Sequence, residues 1–522
     1  MAGIISTIRH QGSTCLVCLL HFKLNLINMK PQYKLSNKML LLQGRTLLCG
    51  LLAIVLTLGG SCKNNLVEKP YSFLGEENSF KTASDATVAL DAIYDRLRTI
   101  YGMTMINLAD VNSEELNVES TIGATILDLK TNNYSPSNPT FDSFYTNCYL
   151  LIDRANRVIK NVPGITMDAT AKAQVMGEAK FLRALTYFDL VQAFGDVPLV
   201  TTPTSDVVNV SIKRTAANDI YSQIINDLKD ADAANLPANY TAAGTIGRAT
   251  SGAVKSILAK VYLTHKDYAN AALYAKQVID SKVYSLFPDY KNIFPPENKN
   301  GQEHIFSAQY SCIKTTYGSP MAEFFSIYFS YPINQGGGSY NVEPSYVNSY
   351  LAGDYRKQVT IITQKVNPAN SQLVFARNGP CVDKYWDPSP CAEFDARNNF
   401  MIIRYADVLL IYAEAINEIN GPTPDAYDAI NQVRTRARNG NSSANPQNLT
   451  GLSQAQFRDA VLQERGWELC FEGHRRWDLL RTGKYVSTLQ AAGIPVSQKN
   501  LLYPIPQHQM DVNSALTQNP GF

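Results

Sequence analysis

Reactive side chains are densest in Gln463–Asp478, which carries Glu464, Arg465, Glu468, Glu472, His474, Arg475, Arg476 and Asp478. Metal-assisted hydrolysis of the zinc-protease kind needs two histidines one helical turn apart around a glutamate. The stretch Phe471-Glu472-Gly473-His474-Arg475-Arg476-Trp477-Asp478 holds a single histidine and lacks that pattern. Helical spacing instead puts Glu464 with Glu468, or Glu468 with Glu472, on one face, within reach of Arg475 or Arg476. The reading is an ion-pair network that sets the register of the last helices. Glu114-Glu115 is a second carboxylate pair. Glycosidase carboxylates must converge on one bond, whereas adjacent residues diverge, so this pair reads as loop polarity or a ligand contact. Gly336-Gly337-Gly338-Ser339 approaches a nucleophile elbow, but Asn341 stands where glycine is required, and the dinucleotide fingerprint fails for the same reason. No metal, nucleotide or triad pattern survives, no cofactor is expected, and the chain reads as a non-enzyme.

Composition narrows the partners. The formal net charge is +2 with no block of like charge, which argues against nucleic acid. Tyrosine is plentiful, 29 against 20 Phe and 3 Trp, and its flat apolar face with a hydroxyl suits both helix packing and contact with sugars or peptides. Of nine cysteines, Cys15, Cys18 and Cys49 precede the mature chain as read below, and no Cys/His spacing matches zinc. Cys381 and Cys391 close a short loop and are expected to form a disulfide in an exported protein.

The elements that must position these residues begin with a leader. Leu47–Leu58 is an apolar run of signal-peptide length, flanked by Arg45 and preceded by Lys30, Lys34 and Lys38. Gly59-Gly60-Ser61 leads to Cys62, as in a bacterial lipoprotein signal, with Gly59 in place of the usual leucine; the alternative is a plain secretory signal. Residues 29–61 are therefore assigned to the signal, Cys62 to lipidation and 62–77 to a tether; residues 1–28 read as an over-extended start. Lipid anchoring would serve in place of a transmembrane helix.

Helices are predicted over Ser79–Tyr101, Phe141–Lys160, Gly177–Phe194, Ala216–Ala234, Ala253–His265, Ala269–Ile279, Arg404–Ile419 and Asp425–Arg438, with a last pair across Ser453–Leu480. The third has two apolar stripes, Phe181/Leu185/Phe188/Gln192 and Ala184/Tyr187/Val191/Phe194, so it must be covered on both sides. Gly195 and Pro198 stop it. Leu258, Ala259, Tyr262 and Ala271 fit the tetratricopeptide pattern, with Ala275 replacing its later aromatic residue. Two stretches read as loop: Asp110–Pro139, and the Pro-, Gly- and Tyr-rich insertion 284–399.

Glu178-Ala179-Lys180-Phe181-Leu182-Arg183-Ala184 with Gly195-Asp196-Val197-Pro198-Leu199 resembles the signature of the SusD/RagB outer-membrane lipoproteins of Bacteroidetes. So do Arg404-Tyr405-Ala406-Asp407-Val408-Leu409-Leu410, the run Ala429–Ala437, Glu464–Asp478 and the ending Gln518-Asn519-Pro520-Gly521-Phe522, in the family's order. The resemblance implies a mainly α, tetratricopeptide-like scaffold: an N-terminal helical part at 78–283 and a C-terminal part at 284–522 with the insertion 284–399 as ligand region. It also implies a surface-exposed lipoprotein that binds oligosaccharide or polysaccharide, or alternatively peptide or another nutrient, and delivers it to a SusC-like TonB-dependent transporter. A surface glycoside hydrolase and a cytoplasmic adaptor are the competing readings. Candidate ligand residues by position are Asp110, Asn112, Glu114 and Tyr134 after the first helix, and Tyr317, Tyr331, Tyr340, Tyr346 and Trp386 in the insertion. Sugar C–H faces stack on rings while carboxylates and amides accept hydroxyl hydrogen bonds.

Overall fold

The computed structural model describes residues 79–204, 211–242, 244–313, 317–327, 337–367, 370–392 and 395–522. The signal 29–61, the lipidated Cys62, the tether 62–77 and Tyr331 lie outside these residues.

Helix α1 (Ala83–Ile100) starts with a capping box: Thr82 accepts from the Asp85 N–H while the Asp85 carboxylate accepts from that of Thr82. It packs on α2 (Pro139–Asn161), which Asn138 caps. Helix α3 (Ala169–Phe194) is capped by Asp168 and ends at Gly195, where φ is +69°. Both predicted stripes are buried apart from Gln192, which is partly covered, because α2 packs against α3 from one side and α4 (Ala217–Ala233) from another. Arg183 of α3 is buried in an ion pair with Asp227 of α4 at 2.7 Å, and also donates to Asn156 of α2. Helices α5 (Ser251–Thr264) and α6 (Tyr268–Ser281) form the next pair, and α6 continues the stack onto α7 (Tyr405–Asn420). Helices α8 (Pro424–Ala437), α9 (Gln454–Leu469) and α10 (Arg475–Arg481) follow in the C-terminal part, ahead of two short helices at Tyr485–Ala491 and Gln507–Val512.

The predicted loops are more ordered than their composition suggests. Segment 107–118 makes a wide π-helical turn, Asn107–Val111, then strand β1 (Leu116–Val118). In the insertion lie β2 (His304–Ala308), β3 (Tyr340–Val342), β4 (Ile361–Ile362), β5 (Gln364–Val366), β6 (Leu373–Phe375) and β7 (Cys381–Val382), followed by β8 (Phe400–Arg404). An antiparallel sheet in the order β1-β3-β7-β4 joins the early loop to the insertion, with Leu116 opposite Val342 and Asn341 opposite Cys381. Strand β2 pairs with β8, every residue of both being buried. These pairings remove 107–118 from the surface except at Asn117, and bury Asp110, Asn112, Glu114 and Glu115.

Candidate ligand-binding site

Six of the nine positional candidates are buried and engaged with other parts of the protein. Asp110 Oδ2 accepts from the Gly473 N–H at 2.8 Å, Glu115 Oε2 accepts from that of Phe471 at 3.1 Å, and Glu114 Oε1 accepts from Arg475 at 2.7 Å. Together they hold a turn in which Phe471 has φ +60° and Gly473 φ +78°. Asn112 accepts from Arg476 and from the hydroxyls of Tyr485, at 2.6 Å, and Tyr503, at 3.1 Å. Tyr134 is packed among Phe141, Tyr503 and Phe522. Tyr340 donates to Asn107 at 2.8 Å and Tyr346 to the Gly466 carbonyl at 2.6 Å, both from buried positions. Trp386 is half-buried beneath the Lys365 ammonium, 4.1 Å from its ring centre.

The insertion's tyrosines have a common task. A helix leaves its last four carbonyls without intrahelical donors, and when that end is buried other groups must supply them. At the buried end of α9, Tyr346 donates to Gly466 O, Tyr350 to Trp467 O at 3.1 Å, and Tyr290 to Glu468 O at 3.0 Å, while the Glu472 N–H closes on Leu469 O. Tyr385 donates to Phe471 O at 2.6 Å just beyond.

The charged run does form a network, but with other partners than the neighbouring Arg475 and Arg476. Glu464 pairs with Arg356 and Arg434, at 2.6 and 2.5 Å. Glu468 pairs with Arg356 at 3.1 Å, Arg404 at 2.6 Å and Arg436. Glu472 pairs with Arg404 at 2.8 Å and Lys384 at 2.7 Å, while Arg475 turns to Glu114. Burial alone would raise the Glu468 and Glu472 carboxyls; the surrounding arginines, and Lys384 at Glu472, override it and hold both below the usual range. Asp110 has no such cation at contact distance, and burial pushes it up to about 8. Among the described residues no three His, Cys, Asp or Glu side chains are placed to hold a metal ion.

The expected Cys381–Cys391 bond is not present. Cys391 is bonded to Cys312, with Cα atoms 5.7 Å apart. Cys381 is a buried thiol in β7, pushed up to about 12 by burial and facing Asn341. Strand pairing commits Cys381 to the sheet, so closeness in sequence did not bring it to Cys391.

Tyr317 lies elsewhere, on an open cleft of about 520 Å³ lined by Asp95, Arg98, Thr99, Tyr101, Met103, Thr104, Ser143, Asn147, Tyr310, Tyr317, Gly318 and Pro320. The last two turns of α1 supply Asp95 and Arg98, an ion pair at i,i+3 spacing, and α2 supplies Ser143 and Asn147. The Arg98 guanidinium lies over the Tyr317 ring, 4.0 Å from its centre. Tyr310 fixes the floor: its hydroxyl bridges the carbonyls of Arg98 and Tyr101, at 3.1 and 3.0 Å. That approach requires glycine at 102, where φ is +92° and a Cβ would stand 2.5 Å from the hydroxyl. Tyr101 in turn donates to Asp189 of α3 at 2.5 Å. The cleft thus offers a flat ring-and-guanidinium surface, a carboxylate, an amide and hydroxyls, the groups that meet both faces and edges of a sugar. A second cleft of about 420 Å³, across α2, has walls of Ile152, Pro198, Val200, Ile212, Val512 and Leu516, and its Tyr149 hydroxyl is taken by the Pro198 carbonyl. Asp95, Arg98, Asn147 and Tyr310 were missed in the sequence; the available signal was an acid and a base three apart in the last two turns of α1, just before Tyr101-Gly102.

Residues 361–522 match the family model described as SusD family, and residues 68–263 match one described as starch-binding associating with outer membrane. The chain belongs to the SusD family. SusD-like protein P2 of Formosa agariphila is 29% identical over 506 residues, covering 90% of this chain and 98% of its own. A SusD superfamily protein from Parabacteroides distasonis superposes with a TM-score of 0.75 at 27% identity, over 84% of this chain and 99% of its own. A laminarin binding SusD-like protein gives 0.73 at 26% identity, over 85% and 100%. The mainly helical architecture is that of the SusD superfamily.

Proposed function

We propose that this chain is a surface-exposed outer-membrane lipoprotein, anchored through Cys62 by a tether at 62–77 after removal of the signal 29–61, that captures glycan and passes it to a SusC-like TonB-dependent transporter without bond chemistry. On this reading the helix pairs α5–α6 and α7–α8 are tetratricopeptide-like supports, and the cleft around Tyr317 is the capture site. The observation that carries it is the stack of Arg98 on Tyr317 beside Asp95, at the mouth of a polar cleft wide enough for a short oligosaccharide. Similarity to a laminarin binding SusD-like protein across most of both chains supports a glycan over a peptide. The charge of Arg98 is matched by that of Asp95, which favours a neutral glycan.

Native affinity gels and calorimetry on the chain lacking residues 1–62 test this, with laminarin, soluble starch and a peptide digest as ligands. Retention by a polysaccharide with no new reducing ends supports capture. Release of reducing ends would turn the reading to hydrolysis, and retention by peptides alone would turn it to the peptide alternative.

A further inference from the structure

Tyr317 follows a stretch whose described residues, Cys312 and Ile313, lie at the surface. Ile313, next to Cys312, is 84% exposed, and Cys312 and Cys391 are themselves exposed. Besides the contact of Tyr317 with Arg98, the described residues hold the ends of this loop in three ways. Its ends close through the Ser311 N–H donating to Tyr317 O at 2.9 Å. Ser319 and Ala396 exchange backbone hydrogen bonds of 2.7 and 3.0 Å, and a side chain on Gly318 would collide with Asp395. The third feature is the Cys312–Cys391 bond, which joins residues 79 apart in sequence. The far side of that bond is anchored: the Cys391 N–H donates to Asp395 O at 3.0 Å, and Arg397 grips the buried Asp387 at 2.6 and 3.0 Å.

We infer that the Cys312–Cys391 crosslink is a positioning device for the ligand cleft, holding the Tyr317 loop so that its ring stays against Arg98. The inference rests on the reading of that cleft as the glycan site. A binding ring on an exposed loop must otherwise be ordered when the ligand arrives, and a covalent tie fixed beforehand removes that cost from binding. Cys312 and Cys391 act through Tyr317, without touching ligand.

The test compares the native protein with a Cys312→Ser/Cys391→Ser variant and with native protein treated with dithiothreitol. The reductant cleaves the S–S bond to two thiols with two electrons and two protons and becomes its own cyclic disulfide. The remaining described thiols, Cys148, Cys381 and Cys470, are buried, so alkylation and mass spectrometry report the exposed pair. Hydrogen exchange needs no ligand: loss of the crosslink should speed exchange in 311–319 about tenfold and leave α1 and α2 unchanged. Kd for laminarin or starch, whichever is retained, should rise threefold or more, and the Tyr317→Ala variant should show no further rise when the crosslink is removed. Unchanged exchange in both the variant and the reduced protein overturns the inference, as does an equal rise in the Tyr317→Ala background. Faster exchange with binding indifferent to Tyr317→Ala overturns the glycan reading of the cleft and leaves the hold on the loop standing.

Discussion

The same side chains build two regions of opposite character. Around Glu468, carboxylates, arginines and tyrosines are sealed from water and each is spent on another part of the protein: Arg404 alone reaches Glu303, Glu468 and Glu472. Around Tyr317, one acid, one arginine and one tyrosine meet at an open cleft whose floor is already satisfied by Tyr310. Residue type does not separate the buried network from the open cleft in this molecule. What separates them is whether strands and helix ends close over the group.

The contrast can be broken from the buried side first. Arg404→Ala should destabilise the protein by about 3–5 kcal/mol or more in denaturant titration, because it strands buried carboxylates. Arg404→Lys should rescue little, since one ammonium cannot reproduce the guanidinium fork. Phe188→Ala, in the sandwiched face of α3, should cost about 3–5 kcal/mol; a near-neutral result would contradict its burial. The pH dependence sharpens the same side. Glu468 and Glu472 are held below their ordinary values, so the unfolded chain takes up protons first and stability falls as pH drops through about 4. Asp110 has the opposite sign: raised to about 8, it keeps a proton that the unfolded chain releases above about 4, and stability erodes as pH climbs between the two. Asp110→Asn should lessen that erosion, by on the order of 1 kcal/mol per pH unit, with buried Glu115 and Asp189, raised in the same direction, contributing to the rest, and should leave the acid limb intact. On the open side, Tyr317→Ala should weaken glycan binding by about 1–2 kcal/mol with an unchanged melting temperature. A drop in melting temperature instead would move Tyr317 into the buried class.

The helices were legible because a 3.6-residue apolar period survives in sequence: α3 was expected from Gly177 and runs from Ala169, and the α5–α6 pair lies within two residues of expectation. The network at Glu464–Asp478 was legible as a network, from charge density on a helical face. Its partners were not, because Arg356, Arg404, Arg434 and Arg436 come from other elements, and no local spacing encodes those meetings. The insertion's tyrosines misled for a related reason. Gly and Pro around Tyr340 and Tyr346 suggest exposed loop, while strands of two or three residues and the orphan carbonyls of α9 draw the rings inward. Asp95 and Arg98 are not legible as a cleft, since an acid and a base three apart look like any helix surface until a second segment brings Tyr317 beside them.

The clamp between Asp110–Glu115 and Phe471–Arg475 also dictates an order of events. Its hydrogen bonds join residues 356 to 363 apart, so the early segment carries three carboxylates whose partners must be brought from near the other end of the chain. Contacts of such long range close late, after the local helix pairs. The turn at Phe471–Arg475 is then a latch: until it has docked, the folding chain can hold its helices but cannot shut its core.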